Sequence, residues 1–341
     1  MPEEGELSGL LENAGAKIHY IDPVVFRRDA LSITGAAKLL VSAPASIWKL
    51  RQLMRRERYD LVHTNTGVTV GGAIAARASR IPHIFHFREI LAEFGPLLRI
   101  YEPFVSLFTT RLIFITMAVG NQFHSRTLRQ KGTVIHDGIP VQDFFQTKEE
   151  PLNGSVVIAS VGRLAPYKGQ DILLKAIAEV YQSGLDVEVY IVGDVYPGRE
   201  SYRKYLFELT ADLGLSHQVH FAGFQEDVQP FLEKCNIFVL SSIREEGLGI
   251  VMLEAMAAER AVIAANSGGV GEIIINGENG VLVEPGSSRD LADAIVKLAK
   301  SPMRRQELAR RGRMDVAEKF SEEEMSRQVL SLYEEMLKAH S

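Results

Sequence analysis

The sequence predicts an α/β protein built from two open parallel-sheet domains. Three observations carry that prediction. Short apolar, β-branched runs alternate with stretches of helical period along nearly the whole chain. The length, 341 residues, suits two domains of ordinary size. The alternation lapses once, at residues 144–155, where Phe-Phe-Gln-Thr-Lys-Glu-Glu-Pro-Leu-Asn-Gly-Ser is polar and carries Pro and Gly, the marks of a linker. Domains are expected over 1–148 and 149–320, with a closing helix at 321–341 crossing back to the first.

In the first domain the β-branched runs predict strands at Lys17–Ile21, Leu61–His63, His83–Phe87, Leu112–Ile115 and Thr133–Ile135. Helical period predicts Leu39–Arg58, Gly71–Ala78 and Val119–Gln130. The most apolar stretch, Pro103 to Val119, is interrupted by Arg111 and preceded by Arg99 and Glu102, which argues against a membrane span. It reads as a buried helix followed by a buried strand. Contact with a membrane surface, here and along Ile47–Arg58, is the alternative.

In the second domain strands are predicted at Val156–Val161, Val187–Val192, Val219–Phe221, Ile237–Leu240, Ala261–Ala264 and Gly280–Val283. Helices between them are expected at Asp171–Gln182, Glu200–Leu213, Val228–Lys234, Val251–Ala258 and Gly271–Ile275. That alternation makes a parallel sheet with crossover helices. From Ser288 on, the chain reads as helical and charged.

Composition narrows the class. Hydrophobic residues are 46% and charged ones 24%, ordinary for a folded soluble domain. A net charge of −5 gives no bulk signal for nucleic acid. The single cysteine, Cys235, opens an apolar run and reads as a core residue, so no disulfide forms within the chain, which fits a reducing compartment. Met1 to Glu6 is acidic where a secretory signal is basic. The expectation is a cytoplasmic protein.

Ligands of open α/β sheets bind outside the carboxyl ends of the strands, so residues just after each strand matter most. Glu246 and Glu254 flank the turn Gly247-Leu248-Gly249, with the first carboxylate in the loop and the second about a turn into a helix. Loop amides and a helix start suit a phosphate, and carboxylates accept from sugar hydroxyls. After the first strand of the second domain comes Gly162-Arg163-Leu164-Ala165-Pro166-Tyr167-Lys168-Gly169. Its guanidinium and ammonium suit a diphosphate. It is not a P-loop, because Tyr167 stands where that motif needs its second Gly. Gly268, Gly269 and Glu272 follow another strand, and Gly193-Asp194 a further one; each alone also reads as a strand-to-helix turn. In the first domain, alternation places Phe85 and Phe87 on one face and His86 on the other, where it is either a core histidine or a group facing the cleft between domains.

Taken together these segments resemble retaining glycosyltransferases of the two-Rossmann (GT-B) architecture, family 4 type. The resemblance rests on Gly162-Arg163-Leu164 with Lys168-Gly169, on Glu246 to Glu254 with Ala255-Met256-Ala257, and on Gly268-Gly269 with Glu272. It extends through Gly277 and Gly280 and through Val134 to Ile139 with Phe144. It implies two Rossmann-like domains facing across a cleft. It also implies transfer of a hexosyl group from a nucleotide-diphosphate sugar to a glycan or lipid-linked acceptor, with retention and without a metal. Arg163 and Lys168 would hold the diphosphate, Glu254 the ribose and Glu246 the transferred sugar. Gly247, Leu248 and Gly249 would present amides, with Gly162, Asp194, Gly268, Gly269 and Glu272 completing the donor loops, and His86 would approach the sugar or the attacking group. Base contacts are often backbone, so side chains do not choose between UDP and GDP. Two departures stand out. Glu259 and Ala261 occupy positions where members commonly have Gly and Pro. Members also open with a strand and a Gly-rich loop, whereas here the first expected strand is Lys17–Ile21, so an incomplete first domain is anticipated. A non-catalytic nucleotide-sugar-binding remnant, or a phosphorylase or epimerase on the same architecture, is the alternative reading.

Overall fold

The computed structural model describes residues 4–25, 33–91, 95, 97–144 and 156–340, with the backbone alone at 6, 33–42 and 97. The candidate linker lies outside the described residues from position 145 on. The chain divides into two compact units, Met1–Ile135 with Gln328–Ser341, and His136–Arg327.

The first unit holds strands β1 (Val62–Thr64), β2 (His83–Phe87), β3 (Arg111–Phe114) and β4 (Gly132–Val134), all parallel and in that spatial order. Its helices are α1 (Glu6–Asn13), α2 (Ile33–Glu57), α3 (Gly71–Ser79), α4 (Leu97–Phe108), α5 (Met117–Asn121) and α6 (Arg126–Lys131). β2 is buried at all five positions, as a strand covered on both faces must be. Phe85 and Phe87 share one face with Phe114 and Phe123, and their rings meet at 4.9–6.1 Å. The backbone of β4 comes so close to Phe114 that a Cβ on Gly132 would lie 2.1 Å from its ring.

Two expectations for this unit fail. Lys17–Ile21 is not a strand. Its apolar pattern is suitable, but a strand exists only through a ladder partner, and among the described residues none pairs with it. The single helix over Val119–Gln130 is instead α5 and α6, because two hydroxyls cap separately. Thr116 accepts from the Val119 N–H, and Ser125 accepts from the Leu128 N–H. Between them the buried Glu102 carboxylate takes the N–H groups of His124 and Ser125 at 2.6 and 2.9 Å, which fixes the break.

The second unit holds β5 (Val156–Val161), β6 (Val187–Val192), β7 (Val219–Gly223), β8 (Ile237–Leu240), β9 (Ala261–Ala265) and β10 (Val281–Val283). Its helices are α7 (Gln170–Gln182), α8 (Glu200–Asp212), α9 (Gln229–Lys234), α10 (Ile250–Ala257), α11 (Val270–Ile273), α12 (Ser288–Ala299), α13 (Pro302–Lys319) and the start of α14 (Glu322–His340). All strand pairs are parallel, in the order β10-β9-β8-β5-β6-β7. The chain therefore winds outward from β5 in one direction and then from β8 in the other. The crevice between those two strands is the topological switch point of a doubly wound sheet.

The core under this sheet joins Ile158, Val189, Ile191, Ile237, Val239 and Ile263 to α7 and α12. Glu259, one of the departures noted above, takes a left-handed backbone at φ 57°, the conformation that glycine adopts most cheaply. Arg310 and Arg313 lie 3.6 and 3.8 Å from its carboxylate. α14 belongs to the second unit up to Arg327 and to the first from Gln328. In the first unit its Tyr333 meets His63 at 2.5 Å and its Glu335 meets Arg111 at 3.2 Å. Among the described residues no helix is long and apolar enough to cross a membrane.

Candidate functional site

The loops at the switch point are built on glycine. After β5, Gly162 extends the ladder by donating its N–H to the Val192 carbonyl at 2.9 Å. Gly193, at the end of β6, has φ 128°, and a Cβ there would lie 2.1 Å from the Gly162 carbonyl oxygen. Only a bare backbone permits that crossing. The loop from β5 then makes a tight turn over Pro166–Lys168 and passes Gly169 at φ 69° into α7. A Cβ on Gly169 would lie 2.1 Å from the Ser241 carbonyl oxygen, in the loop after β8. The Ser241 hydroxyl donates to the Lys168 carbonyl at 3.0 Å, and the Ile243 N–H donates to the Tyr167 carbonyl at 2.9 Å. The two switch-point loops are thus joined along their backbones.

That joining brings Lys168 to Glu246, 78 residues apart in sequence and 2.5 Å apart from Nζ to Oε1. The Ser242 hydroxyl donates to the same oxygen. The side chains are 23% and 14% exposed, so the pair sits at the edge of solvent rather than in it. A third loop locks the carboxylate's backbone. Glu246 bridges Gly268, the Gly269 N–H donates to the Glu246 carbonyl at 2.9 Å, and Gly268 has φ 60°. A Cβ on Gly268 would stand 2.2 Å from that carbonyl oxygen. Glu246 therefore lies where the loops after β5, β8 and β9 converge.

The remaining predicted residues take distinct places. Arg163 is exposed, and its guanidinium stacks on the Tyr196 ring at 3.5 Å from the centroid, which holds the fork flat. Gln170 secures the Arg163 carbonyl at 2.8 Å. Leu248 is buried and Gly249, at φ 77°, starts α10, so Gly247 to Gly249 form the entry to that helix. Glu254 lies half-buried on α10, where burial pushes its carboxyl above the usual range, and among the described residues it has no ion pair. A hydrogen-bond donor set against the carboxylate would offset that desolvation. Glu272 is on the short α11, half-buried, with its N–H on the Gly269 carbonyl. Asp194 is taken up by protein: Arg203 Nη1 reaches both of its oxygens at 3.0 and 2.9 Å. With Leu164, Gly193, Phe207 and Phe221 this pair lines a hollow of about 320 Å³.

His86 belongs to the first unit, inside β2, 4% exposed and on the face away from Phe85 and Phe87. Its ring is 5.4 Å from that of His63, and its buried Nε2 has no partner among the described residues. Burial first, and the His63 and Arg88 charges after it, bring its pKa down to about 3, so the imidazole is neutral. Sequence reading passed over Ser242, Tyr196, Arg203 and Tyr333. Ser242 alone had a local signal, as a hydroxyl two residues after the apolar run Ile237–Leu240 and four residues before Glu246.

The arrangement is a cation and a carboxylate held together by glycine-built loops at the carboxyl edge of a doubly wound sheet. The family described as Glycosyl transferases group 1 matches residues 141–315 of the chain, and that described as Glycosyltransferase Family 4 matches residues 11–143. A glycosyltransferase of Methanocaldococcus jannaschii is 29% identical over 293 residues, 84% of this chain and 78% of that one. The lipopolysaccharide core biosynthesis glycosyltransferase LpsE of Rhizobium meliloti is 36% identical over 176 residues, 52% of this chain and 49% of its own length. Among solved structures, Anabaena HepE in complex with UDP superposes with a TM-score of 0.83 at 25% identity, over 98% of this chain and 90% of that one. The architecture is GT-B, with two Rossmann-like sheets. Group 1 loops, the switch-point geometry and the matched span agree, and the chain belongs to the glycosyl transferases group 1 family.

Proposed function

We propose that the chain transfers a hexosyl group from a nucleoside diphosphate sugar to a saccharide or lipid-linked saccharide, with retention of anomeric configuration. The observation that carries this reading is the convergence of Lys168, Glu246 and the Gly268-Gly269 turn at the switch point. In this reading Lys168 and Arg163 hold the diphosphate. An ammonium has three protons, so Lys168 can keep Glu246 and still donate to a phosphate oxygen. As the bond from the anomeric carbon to the phosphate oxygen breaks, negative charge gathers on the diphosphate, and fixed donors stabilise it there. These two cations carry the role a metal would otherwise fill. The acceptor oxygen bonds to the same face of the anomeric carbon, and its proton passes to the departing phosphate oxygen.

Glu246 directs its second oxygen to a hydroxyl of the transferred sugar, and Glu254 accepts from the ribose diol. Gly162, Gly247, Leu248, Gly249, Gly268, Gly269, Glu272 and Asp194 form the donor loops around them. His86 contributes as a neutral hydrogen-bonding group of the first unit. HepE is known in complex with UDP and with UDP-glucose, and LpsE is named for lipopolysaccharide core biosynthesis, so UDP-glucose and a lipid-linked oligosaccharide are the first pair to assay. A cytoplasmic place at the inner membrane face suits such an acceptor. Calorimetric titration with UDP, GDP and their glucose conjugates, followed by proton NMR of the product's anomeric coupling, tests the proposal. Saturable binding and an unchanged anomer are expected. A folded sample that binds no nucleotide would sink the donor assignment, and an inverted product would reject retention alone.

A further inference from the structure

The first unit carries a helix whose outward face is wrong for water. Leu98, Tyr101, Glu102 and Val105 of α4 are buried against the unit's core. The opposite face, where a soluble helix places charge, carries Ile100 at 73% and Leu107 at 60% exposure, with Pro103 exposed between them. Positions 100, 103 and 107 fall within about 60° of one another at 100° per residue, so they form one stripe. Single exposed aliphatic residues need no explanation, but an aligned stripe does.

The rim of that stripe is cationic. Arg99 is exposed on α4 itself, and α6, which packs against α4, exposes Arg126 and Arg129. Lys131 donates to the Ser106 and Thr109 carbonyls at 2.9 and 3.2 Å, which sets a further cation at the carboxyl end of α4. The one acid on either helix, Glu102, is buried and spent on the His124 and Ser125 N–H groups. The whole chain is acidic, at −5, so this basic margin is local.

We propose that α4, rimmed by α6, docks on an anionic lipid surface. Ile100, Pro103 and Leu107 enter the boundary between headgroups and acyl chains, and Arg99, Arg126, Arg129 and Lys131 meet the headgroup phosphates. The apolar stripe alone would suit a second copy of the chain as well. The charge decides between them, because two copies of this face would bring like charges together. The proposal deepens the acceptor half of the function above, since it brings the chain to the surface where a lipid-linked saccharide resides, and rests on that reading only for its biological purpose.

The test is cosedimentation of the full chain with vesicles of phosphatidylglycerol and phosphatidylcholine, beside vesicles of phosphatidylcholine alone. The chain should pellet with the anionic vesicles and be released by high salt. An I100D/L107D variant should lose at least about tenfold in vesicle affinity. R126Q/R129Q should lose affinity for anionic vesicles and show a shallower salt dependence. Circular dichroism and a thermal midpoint near that of the wild type establish that each variant is folded. No pelleting with anionic vesicles, or equal pelleting of I100D/L107D, overturns the proposal. So does a wild-type dimer that I100D/L107D converts to monomer without any vesicle effect. Vesicle binding by a chain that binds no nucleotide would leave the surface standing and the donor reading refuted.

Discussion

Lys168→Ala is the most informative substitution. Two charges 2.5 Å apart attract by roughly 7 kcal/mol gross at an effective dielectric of about 20. Desolvation of a partly buried pair takes back most of that. The variant leaves Glu246 with the Ser242 hydroxyl as its side-chain partner, so the carboxylate is under-satisfied rather than isolated. A stability loss of about 1–3 kcal/mol follows. Catalysis should lose more. If Lys168 also donates to the diphosphate as charge develops, its removal costs about 10²–10³ in kcat, or about 3–4 kcal/mol. The assay is initial-rate transfer from UDP-glucose, run on the same preparations as the thermal denaturation. The double variant K168A/E246Q should be much less impaired than the product of the two single effects, because both act through one contact. A K168A enzyme that keeps kcat within about threefold, while its stability falls, would show that the lysine only braces Glu246.

Other outcomes follow from the same geometry. Glu254→Ala should weaken UDP binding about 10–100-fold through loss of a charge-assisted hydrogen bond, and unchanged calorimetric affinity would remove the ribose role. Gly268→Ala should cost more than about 2 kcal/mol in chemical denaturation, since a Cβ would meet the Glu246 carbonyl oxygen at 2.2 Å and the left-handed backbone adds about 1–2 kcal/mol. A stability equal to the wild type would show that the loop relaxes freely. Burial holds His83 and His86 at about 3 in the folded chain, below their free value of 6.5. Between those values the unfolded chain binds the protons, so stability is full above about 6.5. It is lost as pH falls toward 3, by about 1.4 kcal/mol per pH unit for each histidine. Urea midpoints at about pH 7.5 and about pH 5 should differ, and less so in His86→Gln; equal differences in the two proteins would refute the buried neutral state.

The second unit was readable because its strands are covered on both faces and so appear as unbroken apolar runs. Val156–Val161, Val187–Val192 and Ile237–Leu240 lie where hydropathy puts them. Lys17–Ile21 only alternates apolar with polar residues, stays exposed or half-buried, and fails because periodicity does not supply a ladder partner. The helix over Val119–Gln130 fails for a local reason, two caps that compete with continuation. For the candidate site, strand-end position pointed to Lys168 and Glu246 separately, while their contact depends on the order of β5 and β8 in the sheet. Tyr196 beneath Arg163 and Arg203 on Asp194 had no signal in sequence. Each is a contact across loop or helix that exists only after folding.

Gly169, Gly193 and Gly268 each lie where a side chain would run into another loop's carbonyl. The loop paths at the switch point are therefore closed to variation, and a change of donor preference has to come from what hangs on them. A directed library should hold those three positions and Arg163 fixed and randomise Tyr196, Ser242 and Leu248. A library that opened the glycines as well would spend most of its members on chains that cannot close the sheet edge.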